Sequence, residues 1–231
     1  MARKLYELVG LEDDRRFSPY CWRIRMALAH KQLSADSVPW RFTDTDAIAF
    51  SGQGKVPVLV DGERTVCDSW TIANYLEDSY PDKPSLFGGL TGRAMAGFFN
   101  NWVDNAVHGP LVRLLLLDIH RHLPAKDQAY FRTSREQRLG MTLEAAVQDR
   151  EPKLAAFRQV LQPARLTLRQ QFYLGGEAPR YADYILFGAF QWARAISPLQ
   201  LLEADDPIAA WRTRLLDAHG GLARQATGYA V

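Results

Sequence analysis

A serine stands where the chain is predicted to pass from a strand into a helix. The segment Ser18–Cys21 reads Ser-Pro-Tyr-Cys, follows the β-like stretch Lys4–Val9 and opens the helical run Trp22–His30. A hydroxyl at such a turn meets unpaired backbone N–H groups and the positive end of the helix dipole. That environment favours an anion, such as a phosphate, a carboxylate or a thiolate. The ordinary alternative is a serine that only caps the helix.

A second polar pair precedes another predicted helix. The apolar run Val56–Val60 carries Pro57 near its start, where a proline that cannot donate to a sheet ladder belongs and where a cis peptide bond fits. Asp61–Gly62 then signals a hairpin, and Asp68 and Ser69 stand before a helical pattern. Two helix N-termini and a strand-initial proline therefore fall within one short α/β unit.

These motifs resemble the thioredoxin-like domain of glutathione S-transferases. Ser18–Arg25 is similar to the catalytic turn of that family, with Ser18 at the activating position. It is also similar to a glutaredoxin Cys-Pro-Tyr-Cys motif in which Ser18 has replaced the first cysteine. Gly54–Pro57 resembles the Gly-Gln-Val-Pro stretch with its cis proline, and Asp68–Ser69 matches the acidic-Ser pair that holds the γ-glutamyl end of glutathione.

Two further segments resemble one subgroup of this family, and two residues differ from the family's usual pattern. Asp68–Glu77 and Tyr80–Gly89 are similar to the subgroup that contains the bacterial β-aryl-ether-cleaving enzymes (β-etherases) and their fungal relatives. Lys55 stands where many relatives carry Gln, and it can reach a carboxylate as a point charge. Arg180 replaces the hydroxyl of a Ser/Thr-x-x-Asp capping box, so that only Asp183 is expected to serve the first turn of that helix.

The resemblance implies a glutathione transferase in which Ser18 stabilises the thiolate for attack on an electrophilic carbon, with an aryl ether as one substrate class. Glutathione is the implied cosubstrate, a homodimer the implied assembly, and detoxification or aromatic-compound metabolism the implied role. The implied glutathione-binding residues are Tyr20, Lys55, Val56, Pro57, Asp68 and Ser69. The implied pocket for an aromatic or apolar electrophile contains Trp22, Asn101, Asn105 and His108.

Other functions stay open at this stage. Cys21 is the competing nucleophile, and with it the protein would be a glutathione-dependent thiol-disulfide reductase, although this position more often holds a buried thiol. A non-catalytic glutathione or ligand carrier is the third hypothesis, because one fold hosts several functions. Tyr6 and Tyr20 are alternative donors to the glutathione sulfur. Cys67 is expected to pack within a strand.

The composition excludes several classes of protein. The 231 residues carry a net charge of +2 and two cysteines, which argues against a nucleic-acid partner, a disulfide scaffold and a metal site. The longest apolar run, Leu114–Leu117, is too short to span a membrane. No signal-peptide core follows the first residues, so we expect a cytoplasmic protein.

The chain changes character near residues 80–92, where proline and glycine cluster. We therefore predict a thioredoxin-like α/β domain at 1–82, a linker at 83–94 and an all-α helical domain at 95–231. The predicted elements of the first domain are strand 3–9, helix 18–31, strand 37–42, a helical turn 44–50, strands 57–60 and 64–67 and helix 69–79. In the second domain they are a long segment Arg93–Ile119 kinked at Gly109–Pro110, one or two helices within Arg135–Val160, a central apolar helix Tyr181–Ile196 and a last helix Pro207–His219.

Overall fold

A four-stranded mixed sheet forms the centre of the N-terminal domain. The computed structural model describes residues 3–230, so the outermost residues of the predicted domains, 1–2 and 231, lie outside the described residues. The elements are β1 (Arg3–Leu8), α1 (Pro19–His30), β2 (Asp36–Trp40), a 3-10 turn (Thr45–Ser51), β3 (Val58–Asp61), β4 (Arg64–Cys67) and α2 (Ser69–Ser79). Each predicted element of this domain is found, with ends that differ by at most two residues.

The strand order is β2-β1-β3-β4, with β1 parallel to β2 and the other neighbours antiparallel. A parallel pair needs a crossover connection, and α1 supplies it between β1 and β2. Leu5 of β1 lies opposite Leu59 of β3, and both side chains are buried. Ile24 and Met26 of α1 are fully buried, so this helix is packed within the protein. That packing fixes the position of its N-terminus.

The rest of the described chain is helical. The helices are α3 (Leu90–Trp102), α4 (His108–Arg121), α5 (Ala125–Leu139), α6 (Leu143–Val147), α7 (Arg150–Val160), α8 (Gln162–Leu168), α9 (Tyr181–Ile196) and α10 (Pro207–Gly221). This architecture confirms the predicted fold class, a thioredoxin-like α/β domain followed by an all-α domain. Two details differ from the prediction, because Arg135–Val160 spans parts of three helices and α3 begins within the residues assigned to the linker.

The predicted kink at Gly109–Pro110 takes a different form. The irregularity is a π-helical turn, Val103–Val107, that joins α3 to α4 just before the proline. A proline lacks the N–H that would pair with the carbonyl four residues earlier, and its ring crowds that carbonyl. The helix therefore widens ahead of Pro110, and such π-turns often lie at functional sites.

Helix α9 lies at the centre of the molecule, as predicted. Fourteen of its sixteen residues are buried, which fits a helix that is apolar on all sides. It packs against α1 of the first domain and against α3 and α4 of the second. A single helix therefore contacts the elements from both domains that carry the candidate site.

One buried carboxylate organises the start of α9. Asp183 accepts hydrogen bonds from the backbone N–H groups of Arg180 (2.9 Å), Leu174 (2.6 Å) and Gly175 (3.0 Å) and from Nε1 of Trp211 (2.8 Å). Arginine has no acceptor for the helix N–H groups, so the missing half of the capping box is not restored by its side chain. Asp183 instead links the loop before α9 to α10.

Residues 3–230 contain neither a membrane-spanning helix nor a cluster of metal ligands. No helix in this range combines the length and the apolar character needed to cross a membrane. Within the same range, no three His, Cys, Asp or Glu side chains are grouped closely enough to hold a metal ion.

Candidate functional site

Ser18 occupies the N-cap of α1. Its backbone is extended (φ −70°, ψ 123°), its side chain is 4% exposed, and its Oγ accepts a hydrogen bond from the N–H of Cys21 at 3.2 Å. Among residues 3–230 the hydroxyl proton of Ser18 has no oxygen or nitrogen acceptor, and the thiol of Cys21 beside it is only a weak sulfur acceptor. This proton is therefore available to a ligand atom at the start of the helix, where the dipole already favours negative charge.

Cys21 is one turn further into the helix and is fully buried. Burial raises the pKa of its thiol to about 12; the charge of Glu7 adds to the shift and the Ser18 side chain opposes it. A thiol with this pKa is almost entirely protonated at neutral pH, which makes it a poor nucleophile. Cys67 is half-buried, and its S–H donates to the carbonyl of Ser51 at 3.7 Å.

The peptide bond between Val56 and Pro57 is cis, as predicted. Pro57 is buried directly before β3, and Val56 precedes the strand with both backbone polar groups unpaired within residues 3–230. An extended peptide can pair with such an edge by main-chain hydrogen bonds. Lys55 is exposed beside it, with no acidic partner in the described part of the chain.

Asp68 and Ser69 form the N-terminus of α2. Asp68 is the N-cap, and its Oδ1 accepts the N–H of Thr71 at 3.0 Å. Its backbone has φ +72° and ψ 133°, a conformation that costs a non-glycine residue ~1–3 kcal/mol and is often retained at functional sites. Asp68 is exposed whereas Ser69 is buried, and the carbonyl of Ser69 accepts the hydroxyl of Tyr181 at 2.9 Å.

The N-termini of α1 and α2 are close enough for their side chains to interact electrostatically, and we call the region bounded by Ser18, Tyr20 and Asp68 the cleft. Burial raises the pKa of Tyr20, and the carboxylates of Asp104 and Asp68 add to that shift, while Arg23 opposes it. The negative charge of Asp68, at the start of α2, therefore disfavours ionisation of the Tyr20 phenol on α1. Tyr20 remains a protonated hydrogen-bond donor at neutral pH.

A cluster of side chains from both domains lies beside this cleft. Arg23 is fully buried, and its guanidinium donates to Asn100 Oδ1 (2.8 Å) and Asp104 Oδ1 (2.7 Å) while lying 4.6 Å from the ring centroid of Tyr20. The Tyr20 hydroxyl and His108 Nδ1 are 3.3 Å apart. Burial lowers the pKa of His108 to about 3, with the charge of Arg23 adding to the shift, so this imidazole is neutral at physiological pH.

The structure brings some of the predicted pocket residues together and separates others. His108 lies against Tyr20 and Trp192 in edge-to-face contacts. Asn101 and Asn105 are exposed on the same stretch of helix, where the amide of Asn105 donates to the carbonyl of Asn101. Trp22 does not reach this cleft, because its side chain is 1% exposed within the core and its Nε1 donates to the carbonyl of Arg16. Its apolar bulk is used for packing, so the prediction that Trp22 lines the electrophile pocket is wrong.

Several residues of the cleft are missing from the sequence-based set. Arg23 and Asp104 are 81 residues apart in the chain, so nothing in their spacing indicates an ion pair. Tyr181 lies in a strongly apolar segment, where core packing is the ordinary interpretation. Arg23 offers a weak signal, because it is a charged residue in the largely apolar helical run Trp22–Ala29, although Arg25 in the same run is charged as well.

Two models of one protein family match this chain. The family model described as "Glutathione S-transferase, C-terminal domain" matches residues 94–216, and the one described as "Glutathione S-transferase, N-terminal domain" matches residues 14–84. A curated relative, Glutathione S-transferase Z1 of Arabidopsis thaliana, is 37% identical over 78 residues, which are 32% of this chain and 35% of that protein. The chain spans between 31% and 45% of the length of the first three curated relatives that it matches.

Solved structures match over nearly the whole chain. A glutathione transferase from Phanerochaete chrysosporium has a TM-score of 0.83 at 25% identity, covering 93% of this chain and 96% of that one. A glutathione S-transferase of Ceriporiopsis subvermispora in complex with glutathione has a TM-score of 0.85 at 21% identity, with the same coverage, and shows the shared fold.

Proposed function

The chain belongs to the glutathione S-transferase family, and from this premise we propose that it is a glutathione transferase whose Ser18 stabilises the thiolate of bound glutathione. The observation that carries this proposal is the buried Ser18 hydroxyl at the N-terminus of α1, whose proton has no oxygen or nitrogen acceptor within residues 3–230. The thiolate then attacks an electrophilic carbon. Ser18 stays protonated throughout, because it only donates a hydrogen bond.

The energy required of Ser18 is modest. A free cysteinyl thiol has a pKa of about 8.5, and each unit by which it is lowered corresponds to about 1.4 kcal/mol. A hydrogen bond to a charged group contributes about 1.5–3 kcal/mol, and the helix N-terminus adds about 0.3–1 kcal/mol. These two contributions together are sufficient to make the bound thiol mostly ionised at neutral pH.

The remaining groups of the cleft suit the rest of the tripeptide. The N-terminus of α2 at Ser69 suits the γ-glutamyl carboxylate, and the exposed carboxylate of Asp68 suits the α-amine. The unpaired backbone of Val56 suits the cysteinyl segment as an added strand, beside the cis Pro57. Lys55 suits the glycyl carboxylate. Tyr20, which contacts Arg23 and His108, suits a place at the mouth of the cleft between the two turns.

Asp68→Asn is expected to weaken glutathione binding by about tenfold, since a charge-assisted contact of roughly 1.5–3 kcal/mol is lost and 1.4 kcal/mol is one decade in affinity. Asparagine remains a good N-cap, so α2 should keep its stability. Ser69→Ala should weaken binding to a similar degree. Calorimetry with glutathione measures both effects, and Glu63→Gln in the exposed hairpin is the matched control. If both variants bind glutathione with the wild-type affinity, Asp68 and Ser69 are not part of the glutathione site.

We propose an aromatic or apolar electrophile, with an aryl ether as the specific case. Tyr20, His108 and Trp192 form an aromatic cluster beside the cleft, which supports this class of substrate. In ether cleavage the sulfur lone pair forms a C–S bond, the bond from that carbon to the aryl oxygen breaks, and the phenolate leaves with its electron pair. Turnover of a β-aryl ether compared with a chlorodinitrobenzene tests this assignment. Activity on the second substrate alone would retain the transferase and reject the ether specificity.

The reductase alternative is opposed by the burial of Cys21 and its high pKa. A Cys21→Ala, Cys67→Ala variant should therefore keep most of its glutathione conjugation, with a moderate loss of stability from the buried site. The same variant and the wild type should both be poor at reducing glutathione mixed disulfides. Efficient reduction by the wild type that disappears with both thiols would support the reductase, and Ser18 would then be only a helix cap. Binding of glutathione without any turnover would support the carrier.

We propose that the assembly is a homodimer. Three large apolar side chains of α3, namely those of Leu90, Met95 and Phe98, are more than half exposed, as is that of Phe50 in the 3-10 turn. Exposed apolar groups that cluster on one element are typical of a protein interface, and two-fold dimers are the commonest assembly. Sedimentation velocity should give a species of twice the chain mass, which Phe98→Glu should convert to the monomer.

A further inference from the structure

Helix α9 contacts both of the turns that form the cleft. Tyr181 and Gly188 are seven residues apart, which is two helical turns, so they lie on the same face of the helix about 10 Å apart along its axis. Tyr181 contacts the turn at Ser69, and Gly188 contacts the turn at Ser18–Pro19. One buried face of the second domain therefore touches both N-termini of the first.

The contact at Gly188 leaves no room for a side chain. A Cβ built on Gly188 would lie 2.4 Å from the carbonyl oxygen of Pro19 and 3.2 Å from its carbonyl carbon. Pro19 directly follows Ser18, and a backbone carbonyl of a helix moves only when the helix moves. Glycine is otherwise unfavourable within a helix by about 1 kcal/mol relative to alanine. The absence of a side chain here thus fixes how closely the Ser18 turn approaches α9.

The first turn of α1 is also held by Arg23, through residues of α3 and of the π-helical turn after it. The guanidinium of Arg23 is bound to Asn100 and Asp104 of the second domain, and its Cγ would lie 3.4 Å from the same added Cβ. The turn is therefore held between α9 and the segment that joins α3 to α4. A methyl group at position 188 must increase the separation between α9 and Pro19, and so change the position of the Ser18 turn relative to α9.

The contact at Tyr181 is a hydrogen bond to the main chain of the second turn. The hydroxyl of this fully buried tyrosine donates to the carbonyl of Ser69 at 2.9 Å, and Ser69 itself is 2% exposed. The main chain at Ser69 directly follows the unusual backbone of Asp68. Tyr181 therefore helps to hold the start of α2 in the position that the first domain presents to its ligand.

We propose that Gly188 and Tyr181 are positioning residues, which set the Ser18 turn and the Asp68–Ser69 turn at the separation that glutathione requires. This inference rests on the proposed function. Gly188 acts through Ser18 and affects the activation of the thiol, whereas Tyr181 acts through Ser69 and affects the binding of the tripeptide. The two residues lie on one helix, so a general loosening of α9 would affect both properties together.

The first experiment compares Gly188→Ala with Gly97→Ala. A Cβ on Gly97 of α3 would meet the ring of Trp70 at 3.6 Å, an ordinary contact. Gly188→Ala should lower kcat at least tenfold and raise the pKa of the bound glutathione thiol, while KM for glutathione changes less than threefold. Gly97→Ala should leave kcat and the thiol pKa at their wild-type values.

The second experiment compares Tyr181→Phe with Tyr184→Phe on the same helix. Tyr184 also uses its hydroxyl, which lies 2.7 Å from His30 Nδ1 and 3.0 Å from His219 Nε2, away from the two turns. Tyr181→Phe should raise Kd for glutathione about fivefold and change kcat at saturation less than twofold. Tyr184→Phe should leave both quantities unchanged, although it too removes a buried hydroxyl.

The outcomes separate this inference from the function on which it rests. It is overturned if Gly188→Ala retains the wild-type kcat and thiol pKa, or if Tyr181→Phe and Tyr184→Phe affect glutathione binding equally. If Gly188→Ala does not fold, the comparison of the two tyrosines decides. The proposed function fails separately if the wild-type protein neither binds glutathione nor lowers the pKa of its thiol, and the inference then falls with it.

Discussion

Ser18→Ala should lower turnover of a general electrophile by about a hundredfold at saturating glutathione. The variant loses a hydrogen bond to the thiolate of roughly 1.5–3 kcal/mol, and each 1.36 kcal/mol added to the barrier is a factor of ten in rate. The KM for glutathione should change little, because the tripeptide is held by the groups around Asp68 and Ser69. Steady-state kinetics with both substrates varied measures kcat and KM separately.

The loss of the helix cap must be separated from the loss of the hydroxyl. Alanine at an N-cap costs about 1 kcal/mol of stability, whereas glycine costs only a few tenths. Ser18→Ala and Ser18→Gly should therefore lose the same activity while differing in stability. Ser18→Thr keeps the hydroxyl and should retain the larger part of the turnover. If the turnover of the three variants falls in proportion to their loss of stability, Ser18 acts only as a helix cap and does not activate the thiol.

Asp183→Ala should destabilise the folded protein by about 3–5 kcal/mol. The substitution leaves four N–H donors around a buried site without their acceptor, and each unsatisfied buried donor costs about 1–3 kcal/mol before the surroundings relax. Water that enters the space left by the carboxylate should restore part of that cost. The free energy of unfolding in urea measures the effect.

A matched control for Asp183 is available nearby. Asp205→Ala removes an exposed carboxylate from the loop before α10 and should change the free energy of unfolding by less than about 0.5 kcal/mol. Asp183→Asn keeps one oxygen acceptor and should fall between the two. If Asp183→Ala unfolds with the same free energy as Asp205→Ala, the carboxylate does not organise the start of α9.

The local signals in the chain predict much of this fold. Apolar residues on all sides of Tyr181–Ile196 indicate a buried helix, and its ends agree with the prediction to the residue. Pro57 at the head of an apolar run and the acidic-Ser pair before α2 indicate the strand start and the helix N-terminus that the structure has. Such features depend on neighbours within a few residues, so a sequence pattern contains them.

Features that depend on distant segments are absent from any local pattern. The pairing of Arg23 with Asp104 is set by the way α1 packs on the second domain. Trp22 has an aromatic side chain that suits a pocket as well as a core, and only packing decides between them. From the sequence, Gly188 is only a residue of low helix propensity within a helical pattern. Its role in packing becomes visible only when the structure places it against the carbonyl of Pro19 in α1.

The pKa of the glutathione thiol in its complex with the wild-type protein tests the central claim most directly. The ultraviolet absorbance of the thiolate, followed against pH, gives this value without any electrophile. The account predicts a pKa about one to two units below the value of about 8.5 for a free thiol, and a return to within about half a unit of that value in Ser18→Ala. A bound thiol that titrates like free glutathione, or one that keeps its lowered pKa without the Ser18 hydroxyl, would contradict the account.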